Sequence, residues 1–234
     1  MQFTGTHEDC RLATVSKPLD ALLEVLNSTG GTLLDIGCGD GVITEGLSVA
    51  GFEVTGVEPS REESGGYPRV CASAGGLPFA NSVFDTVLFH WSLHHVPLRQ
   101  LDQAVVSACR VLKPTGVLCV VEPEPEGEWH DVVASFHDER ESQAMALTAI
   151  ERVTSGYFKR HSRRYYWSED IYPDFNAFAS YMSSLKYNHY TRDDVWAPAV
   201  ALAFEKCGKD GEYHLRQRIR MDLFEQMKGN GMTG

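Results

Sequence analysis

Three glycines at every second position, Gly37, Gly39 and Gly41, follow directly on the short apolar run of Leu33, Leu34 and Ile36. The run reads as a buried strand and the glycines as a tight turn that ends it. Lacking a Cβ, such positions take up positive φ and let a ligand lie against the backbone, while the helix expected next begins with unpaired N–H groups. Val42, Ile43, Leu47, Val49 and Ala50 form the apolar side of that helix, Gly51 ends it, and Glu53 to Val57 reads as a second strand closing on Glu58. A carboxylate about 20 positions after the first glycine can accept hydrogen bonds from both hydroxyls of a ribose. The stretch from Thr32 to Ser60 thus predicts strand, ligand turn, helix and strand in succession.

The glycine spacing narrows the ligand. A dinucleotide fingerprint needs G-x-G-x-x-G, and Val42 stands where its third glycine would be. G-x-G-x-G after an acidic residue, with a second acid ending the next strand, resembles the class I S-adenosylmethionine-dependent methyltransferases, and LLDIGCGDG is close to that family's first motif. The resemblance continues through Phe84-Asp85-Thr86-Val87-Leu88, similar to the family's fourth strand, and Leu93-His94-His95-Val96, similar to the segment after it. Arg110-Val111-Leu112-Lys113-Pro114-Thr115-Gly116 is similar to the helix end and turn before the fifth strand. It implies S-adenosylmethionine as cofactor, held by Asp35, Gly37, Cys38, Gly39, Gly41, Glu58, Pro59, Ser73, Ala74 and His90. Relatives carry an aspartate for the adenine amino group where this chain has Ser73, so Ser73 and backbone groups of Ala74 are expected in that place.

Helix and strand alternate along the rest of the first half. A helix opens at Pro18 with Leu19, Leu22, Leu23 and Leu26 on one side, a third strand is expected at Arg69 to Cys71 and a fourth over Asp85 to His90. A helix is expected from Leu98 to Leu112 and a fifth strand from Val117 to Glu122. Such alternation predicts a parallel sheet with crossover helices on both faces and ligands at the carboxyl ends of its strands. The glycine turn, Glu58, Ser73, His90 to His95 and Glu122 to Glu126 all follow strand ends.

Beyond Glu122 the pattern changes. Asp131 to Ser155 reads as helical, Arg163 to Trp167 as a sixth strand, Pro173 to Leu185 and Arg192 to Lys206 as helices, and Glu212 to Phe224 as a last strand at an antiparallel or mixed edge. The expected fold is one α/β domain over residues 1–234, a doubly wound, mostly parallel seven-stranded sheet of the Rossmann-like methyltransferase type. Residues 123–206 are expected to contribute a helical, substrate-binding cap. Residues 1–16 lack periodicity and read as a mobile or lid-like arm.

Composition bounds the partners. A net charge of -11 argues against a nucleic-acid backbone, whose binding draws its affinity from cationic surface, and favours a small-molecule substrate. No run of 18 apolar residues occurs and the N-terminus has no signal-peptide core, so no membrane partner and a cytoplasmic setting are expected. The six cysteines show no metal-ligand spacing and read as reduced, mostly buried thiols. Self-association as a homodimer is left open.

Methyl transfer from a sulfonium is an in-line displacement that requires positioning and a dry site; no metal is needed, and none is expected here. A base helps when the acceptor carries a proton, and histidine suits that role near pH 7. His90 and His94 are the candidate catalytic residues, whereas His95 reads as packing with Leu93 and Val96. His130 and His137, seven apart, are expected on one face of a helix, as a solvated or substrate-facing stripe rather than a metal site. The run Lys159 to Trp167 is dense in cations and aromatics, and strand alternation sends Arg164 and Tyr166 to one face. The candidate acceptor contacts are Trp91, His94, Glu122, His130, Arg164 and Tyr166, and the expected acceptor is a small anionic or zwitterionic metabolite. The alternatives are an RNA-modifying methyltransferase and a non-catalytic nucleotide-binding subunit; salt-dependent RNA binding and turnover to S-adenosylhomocysteine discriminate them.

Overall fold

The computed structural model describes residues 14–26, 30–60, 66–185 and 189–227. In chain order it builds α1 (Pro18–Leu26), β1 (Thr32–Ile36), α2 (Val42–Val49), β2 (Glu53–Glu58), β3 (Arg69–Cys71), β4 (Phe84–His90), α3 (Leu101–Val111) and β5 (Leu112–Pro123). There follow α4 (Glu128–Val133), α5 (Arg140–Thr154), β6 (Phe158–Tyr172), α6 (Phe175–Ser184), α7 (Arg192–Val195), α8 (Pro198–Glu205), β7 (Gly208–Lys209) and β8 (Glu212–Gln226). The strands form one sheet in the order β3-β2-β1-β4-β5-β8-β6, with the short β7 paired to β8. β1 to β5 pair in parallel, and β8 runs antiparallel to both β5 and β6. This is the doubly wound, mostly parallel sheet the alternation predicts, with the two-residue β7 as an addition.

Period-two alternation explains how the sheet is covered. Along β1, Leu34 and Ile36 join one core cluster with Val87 and Phe89, against Leu101, Ala104 and Val105 of α3 and Ala146, Ala149 and Ile150 of α5. Leu33 points the other way, into a cluster with Leu88, Val121, Leu22 of α1 and Leu47 of α2. Each such buried aliphatic contributes about 1.5–3 kcal/mol. β1 lies between β2 and β4, which fixes the turn after it at the middle of the sheet's carboxyl edge.

A third cluster unites Val132 and Val133 of α4, Phe178 and Met182 of α6, Val195 of α7, Val200 and Phe204 of α8 and Leu215 of β8. These short helices have local start signals: Asp174 accepts the Ala177 N–H at 2.8 Å, and Thr191 and Asp194 form a reciprocal capping box.

Several boundaries differ from expectation. The helix expected from Leu98 begins as a 3₁₀ turn and becomes α-helical at Leu101, and Leu112 already belongs to β5. The helix expected over Asp131 to Ser155 is two helices, and α5 packs its Ala146, Ala149 and Ile150 against the sheet. β6 is far longer than Arg163 to Trp167, because every residue from Ser162 to Tyr172 finds a partner on β8. Of the expected N-terminal arm, residues 1–13 lie outside the described residues, whereas Ser16 N donates to the Trp167 carbonyl at 2.9 Å and Trp167 N to that of Thr14. Among the described residues no helix is long and apolar enough to cross a membrane. Cys38, Cys109 and Cys119 are buried thiols, Cys71 is exposed, and Cys10 lies outside the described residues.

Candidate active site

A cleft of about 1830 Å³ opens along the carboxyl edge of the sheet and runs beneath the short helices. Pockets for one drug-sized ligand occupy about 300–1,000 Å³, so this one has room for two small molecules side by side. One half is lined by Asp35, Gly37, Cys38, Gly39, Glu58, Pro59, Ser73, Ala74 and His90, all expected cofactor residues. The other is lined by Trp129, His130, His137, Tyr181, Met182 and Tyr190.

The glycine turn is closed by the Gly37 and Cys38 N–H groups, which donate to the Val57 carbonyl at 2.7 and 3.1 Å, and by Gly41 N to the Cys38 carbonyl at 2.9 Å. Gly41 has φ +86°, and a Cβ there would stand 2.0 Å from the Tyr67 hydroxyl oxygen, so it serves the turn and its packing and does not line the cleft. Gly39 has φ +55° and nothing within 4 Å of where a Cβ would be. Its backbone therefore faces open space at the cleft. Glu58 ends β2, accepts the Gly39 N–H at 3.0 Å through Oε2 and the Ser60 N–H at 3.4 Å through Oε1.

Asp35 is 2% exposed; Thr44 donates its hydroxyl to Oδ2 at 2.7 Å, and Oδ1 has no partner among the described residues. Burial is the main cause that lifts its carboxyl to about 6, opposed by the Thr44 hydrogen bond and aided by the Glu58 charge. An unsatisfied, buried carboxylate beside a glycine turn fits a cationic ligand group. With Glu58 beyond it and open backbone between them, the residues fit a nucleoside that carries a positive charge.

Two residues that the sequence reading left out complete this half. Arg69 donates through Nη1 to the Gly39 carbonyl at 3.0 Å and through Nη2 to Ser60 Oγ at 3.2 Å, holding turn and strand end together. Ser92 donates to the Ile36 carbonyl at 2.6 Å and ties the loop after β4 to the end of β1. The only signal for either is its place directly beside a strand end.

At the end of β4, His90 and Trp91 stack with ring centroids 5.0 Å apart, and the ring nitrogens His90 Nε2 and Trp91 Nε1 are buried without a protein partner. Burial drives His90 down to about 4, so it is neutral at pH 7. Trp91 has φ +52°, a costly conformation for a bulky residue that clusters at functional sites.

The next turn carries two histidines that both line the cleft. His94 is the buried one, 5% exposed, with Nδ1 against Glu122, while the His95 side chain is 41% exposed and lines the cleft. Glu122 is fully buried, accepts the Leu93 N–H at 3.0 Å and does not line the cleft, so its contact is with His94 rather than with an acceptor. Burial pulls His94 down, but the charge and hydrogen bond of Glu122 together with the charge of Glu139 carry it above the ordinary histidine value. Burial and the neighbouring His94 push His95 the other way, below the usual range.

Arg164 and Tyr166 do not line the cleft, contrary to expectation. Tyr166 is 6% exposed within the cluster that holds Leu88 and Cys119, its hydroxyl has no protein partner, and burial drives its phenol up. Arg164 is exposed on the edge strand opposite Met221. The cause is the length of β6: its cleft end lies further on, where Ser168 and Asp170 line the cavity two and four residues beyond Tyr166 on the same face. The cations of the last strand are also engaged. Arg216 pairs with Glu128 at 2.8 Å, Arg218 with Glu126 at 2.6 Å, and Arg220 with Asp222 at 2.9 Å and with Glu124. His130 and His137 both line the cleft but not as one helical stripe, since α4 ends at Val133.

Residues 34–120 match a family model described as a methyltransferase domain. An uncharacterized methyltransferase of Synechocystis sp. is 32% identical over 109 residues, covering 44% of this chain and 51% of that protein. The chain spans about half the length of the curated relatives it matches. A candidate type II methyltransferase of Anaeromyxobacter dehalogenans superposes with a TM-score of 0.61 at 17% identity, over 92% of this chain and 97% of that one. The 1,6-didemethyltoxoflavin-N1-methyltransferase of Burkholderia thailandensis, with 1,6-didemethyltoxoflavin and S-adenosylhomocysteine bound, superposes with a TM-score of 0.50 at 15% identity, over 89% of this chain and 77% of that one. At these identities the structural likeness is one of fold.

Proposed function

We propose, on the premise that residues 34–120 are a methyltransferase domain of the class I, S-adenosylmethionine-dependent type, that the protein methylates a small polar metabolite by in-line displacement. The observation that carries this reading is the Glu58 carboxylate hydrogen-bonded to the Gly39 N–H at the mouth of a cleft large enough for cofactor and acceptor together. Bound S-adenosylmethionine supplies an electrophilic methyl carbon on a sulfonium. Of the residues lining the cleft, Glu58 would hold the ribose hydroxyls, the Gly37 to Gly39 backbone and Ser73 and Ala74 would hold the nucleoside, and the buried Asp35 would hold its cationic end.

The acceptor occupies the half lined by Trp129, His130 and Tyr190. That half presents imidazoles at His130 and His189 and carboxylates at Asp138 and Asp170, a mixed lining that suits a zwitterion better than a simple anion. His90, neutral at pH 7, remains the candidate base for an acceptor that loses a proton, and its buried Nε2 has no partner among the described residues. The cap elements would exclude water while the acceptor is held in line with the methyl carbon, as the displacement requires.

Calorimetry with S-adenosylhomocysteine, followed by a metabolite screen with methyl-labelled S-adenosylmethionine, tests the reading. One cofactor per chain and transfer of label to a small molecule are expected. Absence of cofactor binding overturns it.

A further inference from the structure

We propose that His94, His95 and Glu139 form a binding site for one divalent transition-metal cation of the zinc type, set in the wall of the cleft. One ligand atom from each of the three lies within 4.8 Å of those of the other two, the only such grouping of histidine, cysteine and acidic side chains among the described residues. Glu139 Oε1 is 3.6 Å from His94 Nε2 and 3.6 Å from His95 Nδ1. In a tetrahedral complex with metal-ligand bonds of about 2.0–2.2 Å, ligand atoms stand about 3.4 Å apart, which the two separations from Glu139 already approach.

The surroundings fix the ligands in the manner of a metal centre. His94 turns Nδ1 to the buried Glu122 carboxylate, which leaves Nε2 directed at Glu139. A ligating histidine characteristically gives its other ring nitrogen to a carboxylate, which sets the tautomer and the ring orientation. Glu122 is itself fixed by the Leu93 N–H at 3.0 Å. His137 Nε2 lies 3.2 Å from the same Glu139 oxygen, Oε1, so three imidazoles converge on it. His94 thus has an orienting partner that is not a ligand.

The donor set selects the cation. Two imidazoles and one carboxylate suit zinc and its neighbours, whereas magnesium and calcium prefer oxygen alone. Three protein donors leave a fourth position for water or for an oxygen or nitrogen of a small molecule in the cleft, which His95, Glu139 and His137 all line. A cation there would lower the pKa of a hydroxyl bound to it.

The test uses the full chain, stripped with chelator and titrated with zinc chloride by calorimetry and with cobalt chloride by visible absorption, in the absence of any cofactor. One site with the cobalt spectrum of a nitrogen-ligated, four-coordinate ion is expected. His95→Ala and Glu139→Gln should each weaken it at least tenfold, while His214→Ala, outside the cleft, should leave it unchanged. Equal affinity in the wild type and in a variant carrying both substitutions overturns the proposal. Should a variant fail to fold, a wild-type crystal soaked in zinc chloride decides: anomalous density about 2.0–2.2 Å from His94 Nε2 and His95 Nδ1 supports the site, and density only elsewhere overturns it. Neither readout depends on methyl transfer, so failure here and failure of the proposed activity are separable.

Discussion

Glu58, the last residue of β2, accepts a 3.0 Å hydrogen bond from the backbone N–H of Gly39, so the acid that ends one strand braces the turn that follows its neighbour. The bond explains why the two features occur together in the sequence. The turn keeps its open backbone facing the cleft because Glu58 and Arg69 hold Gly39 by its N–H and its carbonyl.

Replacing Glu58 by Ala should weaken S-adenosylhomocysteine binding more than tenfold, because a ribose would lose its acceptor in a partly enclosed site. Thermal stability should change little, since the Gly39 N–H is near the surface and water can replace the carboxylate. Calorimetry and a melting curve check the two halves of this expectation, and unchanged affinity would remove Glu58 from the site.

Gly39→Val tests the turn from the other side. At φ +55° a side chain costs about 1–2 kcal/mol, but no atom of the described residues lies within 4 Å of the new Cβ, so the chain should still fold. The valine then occupies space the cleft leaves open beside Glu58. Loss of cofactor binding with a fall of only a few degrees in Tm is expected, and full activity would mean that the turn does not contact the ligand.

The stretch from β1 to β2 was legible because its signals are local: period-two apolar alternation, glycines, and an acid at a strand end. The parallel order of the first five strands followed from alternation of helix and strand. What was not legible depends on distant pairing. Tyr166 lies opposite Ile219, and that register decides that Ser168 and Asp170, not Arg164 and Tyr166, reach the cleft. Likewise, His94 and Glu139 meet only because α5 packs with its start against the turn after β4. No spacing in the chain announces a site built from residues so far apart.

The placement of β6 makes its own prediction. Tyr166→Phe removes a buried hydroxyl with no protein partner and should raise stability by about 1 kcal/mol, while Arg164→Ala, at an exposed edge, should change it by less than about 0.5 kcal/mol. Neither should alter KM for cofactor or acceptor. Steady-state kinetics on both variants checks this, and a raised acceptor KM in either would return the cationic run to the site.

Asp35→Asn should separate stability from function through pH. The wild-type carboxyl titrates at about 6 in the folded chain against an ordinary 3.8, chiefly because burial disfavours its charge. Between those values the folded state holds a proton that the unfolded state has released, so stability is greatest below pH 4 and falls as pH rises to about 6. The difference amounts to about 3 kcal/mol at neutral pH, which the folded chain forgoes in order to present a carboxylate to its ligand. Asparagine cannot ionise, yet its side-chain oxygen can still accept the Thr44 hydroxyl that now bonds Oδ2. The variant should therefore melt roughly 5–10 °C above wild type at pH 8 and close to it at pH 4.5, where wild-type Asp35 is itself protonated. Cofactor affinity should move oppositely, falling at pH 8 because the anion facing the cationic end of the ligand is gone. Melting curves for the two proteins that stay parallel from pH 4.5 to 8 would show that Asp35 carries no buried charge.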